Sequence, residues 1–408
     1  MSPLQSSDHV IVVGAGLAGW RFVEALRREG YDGALTLIGE EPYAPYDRPP
    51  LSKHVLAGKW DVERTLLATP ELVEEHQVTL HLGVAVTDLD VAATTVRLRD
   101  DSSLSGTHVV IATGAKARLL PYSASDQIHT VRSRDDVLRL NRDLASLQAT
   151  SPIAIVGGGF IGAEAATSLR ARGFSPIVLE AALRPLVNVL GPNVSAWLAD
   201  LAGAAGIELR NEQQIADVVA TDQGLVVLFA DGSTLEAGAV IVGAGAVTND
   251  EWLKTSGLTI DNGVVVDENL LATERVGAIG DVARFSWKST SGTELVRIEH
   301  WQVANDHAAH LAHYWMTGES PSALMVPYFW SDQYGKKIQM LGHARPDDTV
   351  TRVSGSIDEG KWVALFSRGG TVTGVVALSK PRGLMLSKSL LEEPTSLDEA
   401  IARAPWAS

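Results

Sequence analysis

The chain of 408 residues contains no cysteine. That absence excludes a disulfide scaffold, thiolate metal ligands and any Cys-x-x-Cys pair or single-thiol peroxide chemistry carried by the chain itself. Redox work must therefore fall to a bound cofactor. Long apolar runs are lacking too, since stretches such as residues 10–13 fall far short of the roughly 20 residues that span a bilayer. Residues 1–7 have neither the basic nor the apolar region of a signal peptide, so the expectation is a soluble, cytoplasmic protein with no membrane partner. Positive charge is also in deficit. With 34 Lys and Arg against 49 Asp and Glu, and a net charge of −15, the balance argues against a nucleic-acid partner, because phosphate contacts need surplus cations.

A chain of this length with 45% hydrophobic residues suits two or three domains rather than one core. The charge deficit is uneven along it. Residues 333–391 hold nine basic side chains, Lys336, Lys337, Arg345, Arg352, Lys361, Arg368, Lys380, Arg382 and Lys388, against the four acids Asp347, Asp348, Asp358 and Glu359. This local excess reads either as an ordinary solvated face or as a docking patch for an acidic partner.

Two segments carry the same pattern. Residues 9–13 form a short apolar, β-branched run that leads into Gly14-Ala15-Gly16-Leu17-Ala18-Gly19 and then a helical pattern to Arg28. In such a strand, turn and helix, the first glycine allows the tight turn, the second lets backbone approach a pyrophosphate, and the third packs helix on strand. A second strand, residues 34–38, ends at Glu40, whose carboxylate can accept from ribose hydroxyls. The arrangement recurs at residues 153–156, Gly157-Gly158-Gly159-Phe160-Ile161-Gly162, a helix to Arg172, and a strand ending in Glu180. One such glycine motif is weak evidence, but two full copies in context imply two dinucleotide sites. Glu180 favours NADH, since a carboxylate binds a free 2′-hydroxyl and repels a 2′-phosphate; Arg184, four residues on, leaves NADPH open.

Further motifs follow in order: Asp47-Arg48-Pro49-Pro50-Leu51-Ser52-Lys53, Ile111-Ala112-Thr113-Gly114, Ala278-Ile279-Gly280-Asp281 and Phe329-Trp330-Ser331-Asp332-Gln333-Tyr334. Together they resemble the ferredoxin reductases of bacterial oxygenase systems over nearly the whole chain. The resemblance implies that Gly14, Ala15, Gly16, Ala18, Gly19 and Glu40 hold the ADP half of FAD. It places Arg48, Pro49 and Lys53 by the flavin, with Ala112, Thr113 and Gly114 as further FAD contacts, Asp281 at the ribityl chain and Trp301 near the isoalloxazine. Val86 and Arg132 fall at positions of additional FAD contacts. NADH is implied for Gly157, Gly159, Phe160, Ile161, Gly162, Glu180 and Gly245, and Glu164 is implied beside the nicotinamide, paired with Lys53. Lys53 and Glu164 are the implied catalytic residues, and no metal is implied. Two departures stand out: Gly243-Ala244-Gly245 is followed by Ala246-Val247-Thr248-Asn249 where the family often has Pro-Asn, and His300 stands where a small hydroxyl residue is usual.

The expected fold is α/β, with two Rossmann-like dinucleotide-binding domains of the glutathione-reductase-like flavoprotein type and a C-terminal α+β domain. The flavin motifs lie on both sides of the second glycine unit, so residues 1–112 and 245–322 are expected to form a discontinuous FAD domain around an NADH domain at 113–244. Residues 323–408 then form the third domain. Period-2 stretches at 336–341, 361–367 and 371–378, with Gly369-Gly370 as a hairpin turn, suggest an antiparallel sheet followed by a helix through Leu391. The implied function is electron transfer from NADH through FAD to a [2Fe–2S] ferredoxin, and thence to a P450 or Rieske oxygenase. Two alternatives remain open: an NADH oxidase or diaphorase acting on oxygen or a quinone, and a redox sensor resembling apoptosis-inducing factor.

Overall fold

The computed structural model describes residues 3–122, 128–222, 224–289, 292–320 and 325–407. The expected domain start near Ala323 lies outside the described residues. The chain divides into two compact units, one of Met1–Asp47, Thr65–Lys116 and Val247–Phe329, the other of Arg48–Arg64, Ala117–Ala246 and Trp330–Ser408.

In the first unit, strand His9–Val13 is the centre of a sheet, paired in parallel with Ala34–Gly39 on one side and His108–Ile111 on the other. Outer strands are Thr79–Leu82 beyond Ala34–Gly39, and Val276–Ala278 then Leu271–Thr273 beyond His108–Ile111. The central strands are buried on both faces, which is why they read as unbroken apolar runs rather than alternating ones. Helices Leu17–Arg28 and Trp301–Thr317 pack on each other, with Phe22 and Trp315 fully buried and edge-on at 5.7 Å.

The second unit repeats the plan. Pro152–Val156 is flanked in parallel by Ser175–Leu179 and Ala239–Val242, with Glu208–Arg210 and Ile128–His129 at the edges. From Trp330 on, the same unit holds a five-stranded antiparallel sheet, in the order Tyr328–Gln333, whose first two residues are counted with the first unit, Lys336–Gly342, Thr371–Leu378, Lys361–Arg368, Thr349–Ser356. Its central hairpin turns at Gly369 and Gly370, φ +55° and +83°, the positive pair that a two-residue loop requires. Lys361–Arg368 and Thr371–Leu378 are buried along both faces instead of on alternate residues. Both faces are covered: Trp197 of helix Val187–Ala204 meets Trp362 edge-on at 5.1 Å, while Gly383 of helix Pro381–Leu386 lies against the next residue, Val363. The expected helix through Leu391 breaks at Ser387 into Pro381–Leu386 and a tighter turn, Lys388–Leu391.

Candidate functional site

At the end of strand His9–Val13 the chain turns at Gly14, φ +120°, where a side chain would run into the carbonyl of Ala112. Gly16 precedes helix Leu17–Arg28, and a Cβ placed there would meet nothing within 4 Å. The chain is thus open at Gly16, where the helix begins, and a helix start with room beside it is the electrostatic and steric setting that a pyrophosphate needs. Ala18 and Gly280 are small because they touch: a Cβ on Gly280, φ +71°, would come within 2.9 Å of that of Ala18. This close approach brings Asp281 to the start of the same helix. Glu40, one residue past its strand and 67% exposed, has one oxygen 3.0 Å from Arg99 Nη2, so its other oxygen is available to a ribose.

Thr113 and Asn249 lock together in the first unit. Thr113 Oγ1 donates to the Asn249 carbonyl at 2.7 Å, Asn249 Nδ2 donates to the Thr113 carbonyl at 3.0 Å, and Asn249 N–H donates to the Gly114 carbonyl at 3.0 Å. These bonds hold the chain where Pro-Asn is usual, so the asparagine alone supplies the tie. Trp301 opens helix Trp301–Thr317 and its Nε1 donates to Asp47 Oδ1 at 2.8 Å. Val86 begins strand Val86–Asp90 and packs against the core of this unit. Six residues beyond Trp301, His307 accepts the Gly280 N–H on Nδ1 at 3.2 Å. Complete burial pushes its imidazole down to about 3, so the ring stays neutral.

The second unit carries the matching turn. Gly157, φ +100°, leaves no room for a side chain beside the Gly243 carbonyl, and Gly162 packs against the Gly157 carbonyl. Gly159 precedes helix Phe160–Ala171, with Ile161 42% exposed at its first turn. Glu180, just past strand Ser175–Leu179, accepts the Gly158 N–H at 2.9 Å and the Ala182 N–H at 2.8 Å, one on each oxygen. Its carboxylate is thus aimed at the glycine turn before any ligand arrives. Gly245, φ +90°, accepts the Arg118 N–H at 3.0 Å.

Segment Arg48–Arg64 belongs to this unit. Arg48 donates to the Arg132 carbonyl at 2.7 Å, which brings two of the anticipated flavin contacts together. After Pro49 and Pro50, residues Leu51–Val55 form a wide turn in which Val55 N–H reaches back five residues to Pro50, a widened geometry common at functional sites. That turn presents Lys53, whose ammonium is 2.8 Å from Glu164 Oε2 and 3.3 Å from the Pro49 carbonyl. Glu164 is 3% exposed rather than a helix-surface residue. Ser52 donates to the same oxygen at 2.6 Å, while Ser331 donates to Oε1 at 2.5 Å. Sequence reasoning did not single out Ser52 or Ser331, or Arg99. Serines inside larger motifs carry no spacing signal of their own.

Residues 8–308 match the family described as pyridine nucleotide-disulphide oxidoreductase, and residues 328–407 match the one described as reductase C-terminal. The chain belongs to the pyridine nucleotide-disulphide oxidoreductase family and, within it, to the ferredoxin reductases of oxygenase systems. It is 35% identical to rhodocoxin reductase of Rhodococcus erythropolis over 397 residues, 96% of this chain and 91% of that protein. Putidaredoxin reductase of Pseudomonas putida is 32% identical over 399 residues, 96% and 93% of the two chains. The crystal structure of the covalent putidaredoxin reductase–putidaredoxin complex contains a chain that superposes with a TM-score of 0.91 at 30% identity, covering 99% of this chain and 100% of that one.

Proposed function

We propose that this protein is an FAD-containing reductase that takes electrons from NADH and passes them to a [2Fe–2S] ferredoxin serving a P450 or ring-hydroxylating oxygenase. The observation that carries this reading is a pair of glycine turns, each opening a helix beside an acid-tipped strand, in a chain without cysteine. One turn suits a resident dinucleotide and the other a visiting one, and no thiol pair stands between them and an external acceptor. When bound, FAD supplies the change from two-electron hydride acceptance to one-electron release that an iron–sulfur cluster requires.

The work of the chain is binding, alignment and electrostatics. The Gly14-Ala15 turn, whose Gly14 N–H is spent on the Ile38 carbonyl, would shape the seat for the FAD pyrophosphate, Gly16, Ala18 and Gly19 at the start of helix Leu17–Arg28 would hold it, and Glu40 would hold the ribose. Val86, Ala112, Thr113, Gly114, Arg132, Asp281 and Trp301 complete the FAD contacts, with Arg48 and Pro49 by the flavin. Gly157, Gly159, Phe160, Ile161, Gly162, Glu180 and Gly245 hold NADH. Lys53 would supply a cation beside the bound flavin, favouring its electron-rich reduced form, and Glu164 holds that cation in place. Residues 1–112 and 245–322 form the FAD domain, 113–244 the NADH domain and 323–408 the C-terminal domain. Among the described residues no helix is long and apolar enough to cross a membrane, and we place the protein in the cytoplasm. NADH-driven cytochrome c reduction, with and without [2Fe–2S] ferredoxins, tests the reading. Stimulation by a ferredoxin supports it; rapid reduction of oxygen or quinone without stimulation favours an oxidase, and negligible turnover with any acceptor favours a sensor.

A further inference from the structure

A buried carboxylate is tolerated only when donors occupy its lone pairs. Glu164 has four donors, divided cleanly between its two oxygens. Oε2 takes Lys53 Nζ at 2.8 Å and the Ser52 hydroxyl at 2.6 Å, both from the turn Leu51–Val55. Oε1 takes the Ser331 hydroxyl at 2.5 Å and the Asp332 N–H at 3.3 Å, both from strand Tyr328–Gln333. The Ser331 hydroxyl is fully buried, and its oxygen accepts from Gln333 Nε2 at 3.1 Å. With its proton given to Glu164 and a lone pair taken by Gln333, this hydroxyl has one orientation.

We propose that Ser331 is a positioning residue for Lys53, acting through Glu164, an assignment that rests on the function proposed above. By occupying Oε1 it commits Oε2 to the ammonium. Lys53 is the mobile member of the set. Two of its three N–H bonds are taken, by Glu164 and by the Pro49 carbonyl, and among the described residues the third remains for a ligand. Without the Ser331 hydroxyl, Oε1 keeps only the long backbone bond, and of the two donors on Oε2, Ser52 and Lys53, the ammonium is the charged one and sits on the longer, more flexible stem. Lys53 is then drawn across the carboxylate and away from the ring it is placed to stabilise. A strand from the C-terminal part of the chain, 167 residues from Glu164, thus sets the position of the cation.

Ser331→Ala and the conservative Ser331→Thr in the FAD-loaded protein test this. Wild-type protein that takes up FAD and is bleached by NADH sustains the functional reading; failure of either in the wild type sinks that reading and the assignment with it. In an active background, Ser331→Ala should slow flavin reduction at saturating NADH about tenfold, with half-saturating NADH within about twofold of wild type. The flavin midpoint potential should move to more negative values, and Ser331→Thr should restore both rate and potential. An unchanged rate and potential overturns the assignment, as does equal loss in both variants alongside a lowered melting temperature, which a merely structural role would give. Should Ser331→Ala not fold, Gln333→Leu frees the same hydroxyl to rotate and should shift the potential in the same direction; no shift there overturns the assignment equally.

Discussion

Single carboxylates carry the nucleotide chemistry proposed here, and their surroundings sharpen what each substitution should do. Glu180 spends both oxygens on the backbone N–H groups of Gly158 and Ala182, so it is oriented before NADH arrives. Glu180→Ala should lower the ratio of catalytic efficiency with NADH to that with NADPH by roughly tenfold or more, since one change removes a charge-assisted bond and a repulsion. Steady-state kinetics with both cofactors measures it; an unchanged ratio removes Glu180 from cofactor choice. Gly14 allows an even simpler test. Because a Cβ there would overlap the Ala112 carbonyl and the backbone sits at φ +120°, Gly14→Ala should abolish FAD retention, read as loss of the flavin absorbance in purified protein.

At the scale of elements, helix Trp301–Thr317 couples the flavin-side turn to pH. His307 takes the Gly280 N–H on Nδ1, so the neutral ring is part of the hydrogen bonding that holds the Gly280–Asp281 turn. Its folded value of about 3 lies below the ordinary 6.5, so the unfolded chain binds the proton first as pH falls. Stability is therefore fully present above about 6.5 and lost progressively toward pH 3, with a limiting slope of about 1.4 kcal/mol per pH unit for one proton. Buried His108 and partly buried His310 are pushed down by desolvation as well and add loss of the same sign. His307→Gln keeps an acceptor for Gly280 without a titrating ring. Urea unfolding between pH 7 and 4.5 should show a shallower loss in the variant, and parallel curves would remove His307 as a contributor.

For the whole molecule the question is whether a chain at −15 keeps a basic surface on which the proposed ferredoxin, if acidic, would dock. The structure thins the basic excess of residues 333–391. Lys337 is 3.0 Å from Asp332, Arg368 is committed to buried Asp348, Lys388 is 3.6 Å from Glu392, and Lys380 donates to Ser354 at 2.8 Å. Lys361 and Arg382 are exposed and have no ion-pair partner among the described residues. Lys361→Glu with Arg382→Glu should accordingly slow ferredoxin reduction and flatten its salt dependence while leaving reduction of a neutral dye by NADH unchanged, because rim charges act mainly on association. Stopped-flow at several ionic strengths decides; loss in both assays would mean damaged folding, and loss in neither would move docking elsewhere.

Local geometry explains what could be read without coordinates. A strand, a glycine turn and a helix lie within about 20 residues, and each glycine answers to a neighbour a few positions away or to the next strand of the same sheet, so two nucleotide turns and their terminal acids were legible from order and spacing. The Gly369-Gly370 hairpin was legible for the same reason. The burial of strands Lys361–Arg368 and Thr371–Leu378 on both faces was not, because the helices that cover them come from residues 187–204 and 381–386. Only tertiary structure could decide that Glu164 faces inward, that its oxygens are shared between residues 111 and 167 positions distant, and that Lys337, Arg368 and Lys388 of the basic segment are already in ion pairs. Hydrogen bonds and ion pairs of that range depend on how sheets and helices stack, and neither composition nor period records the stacking.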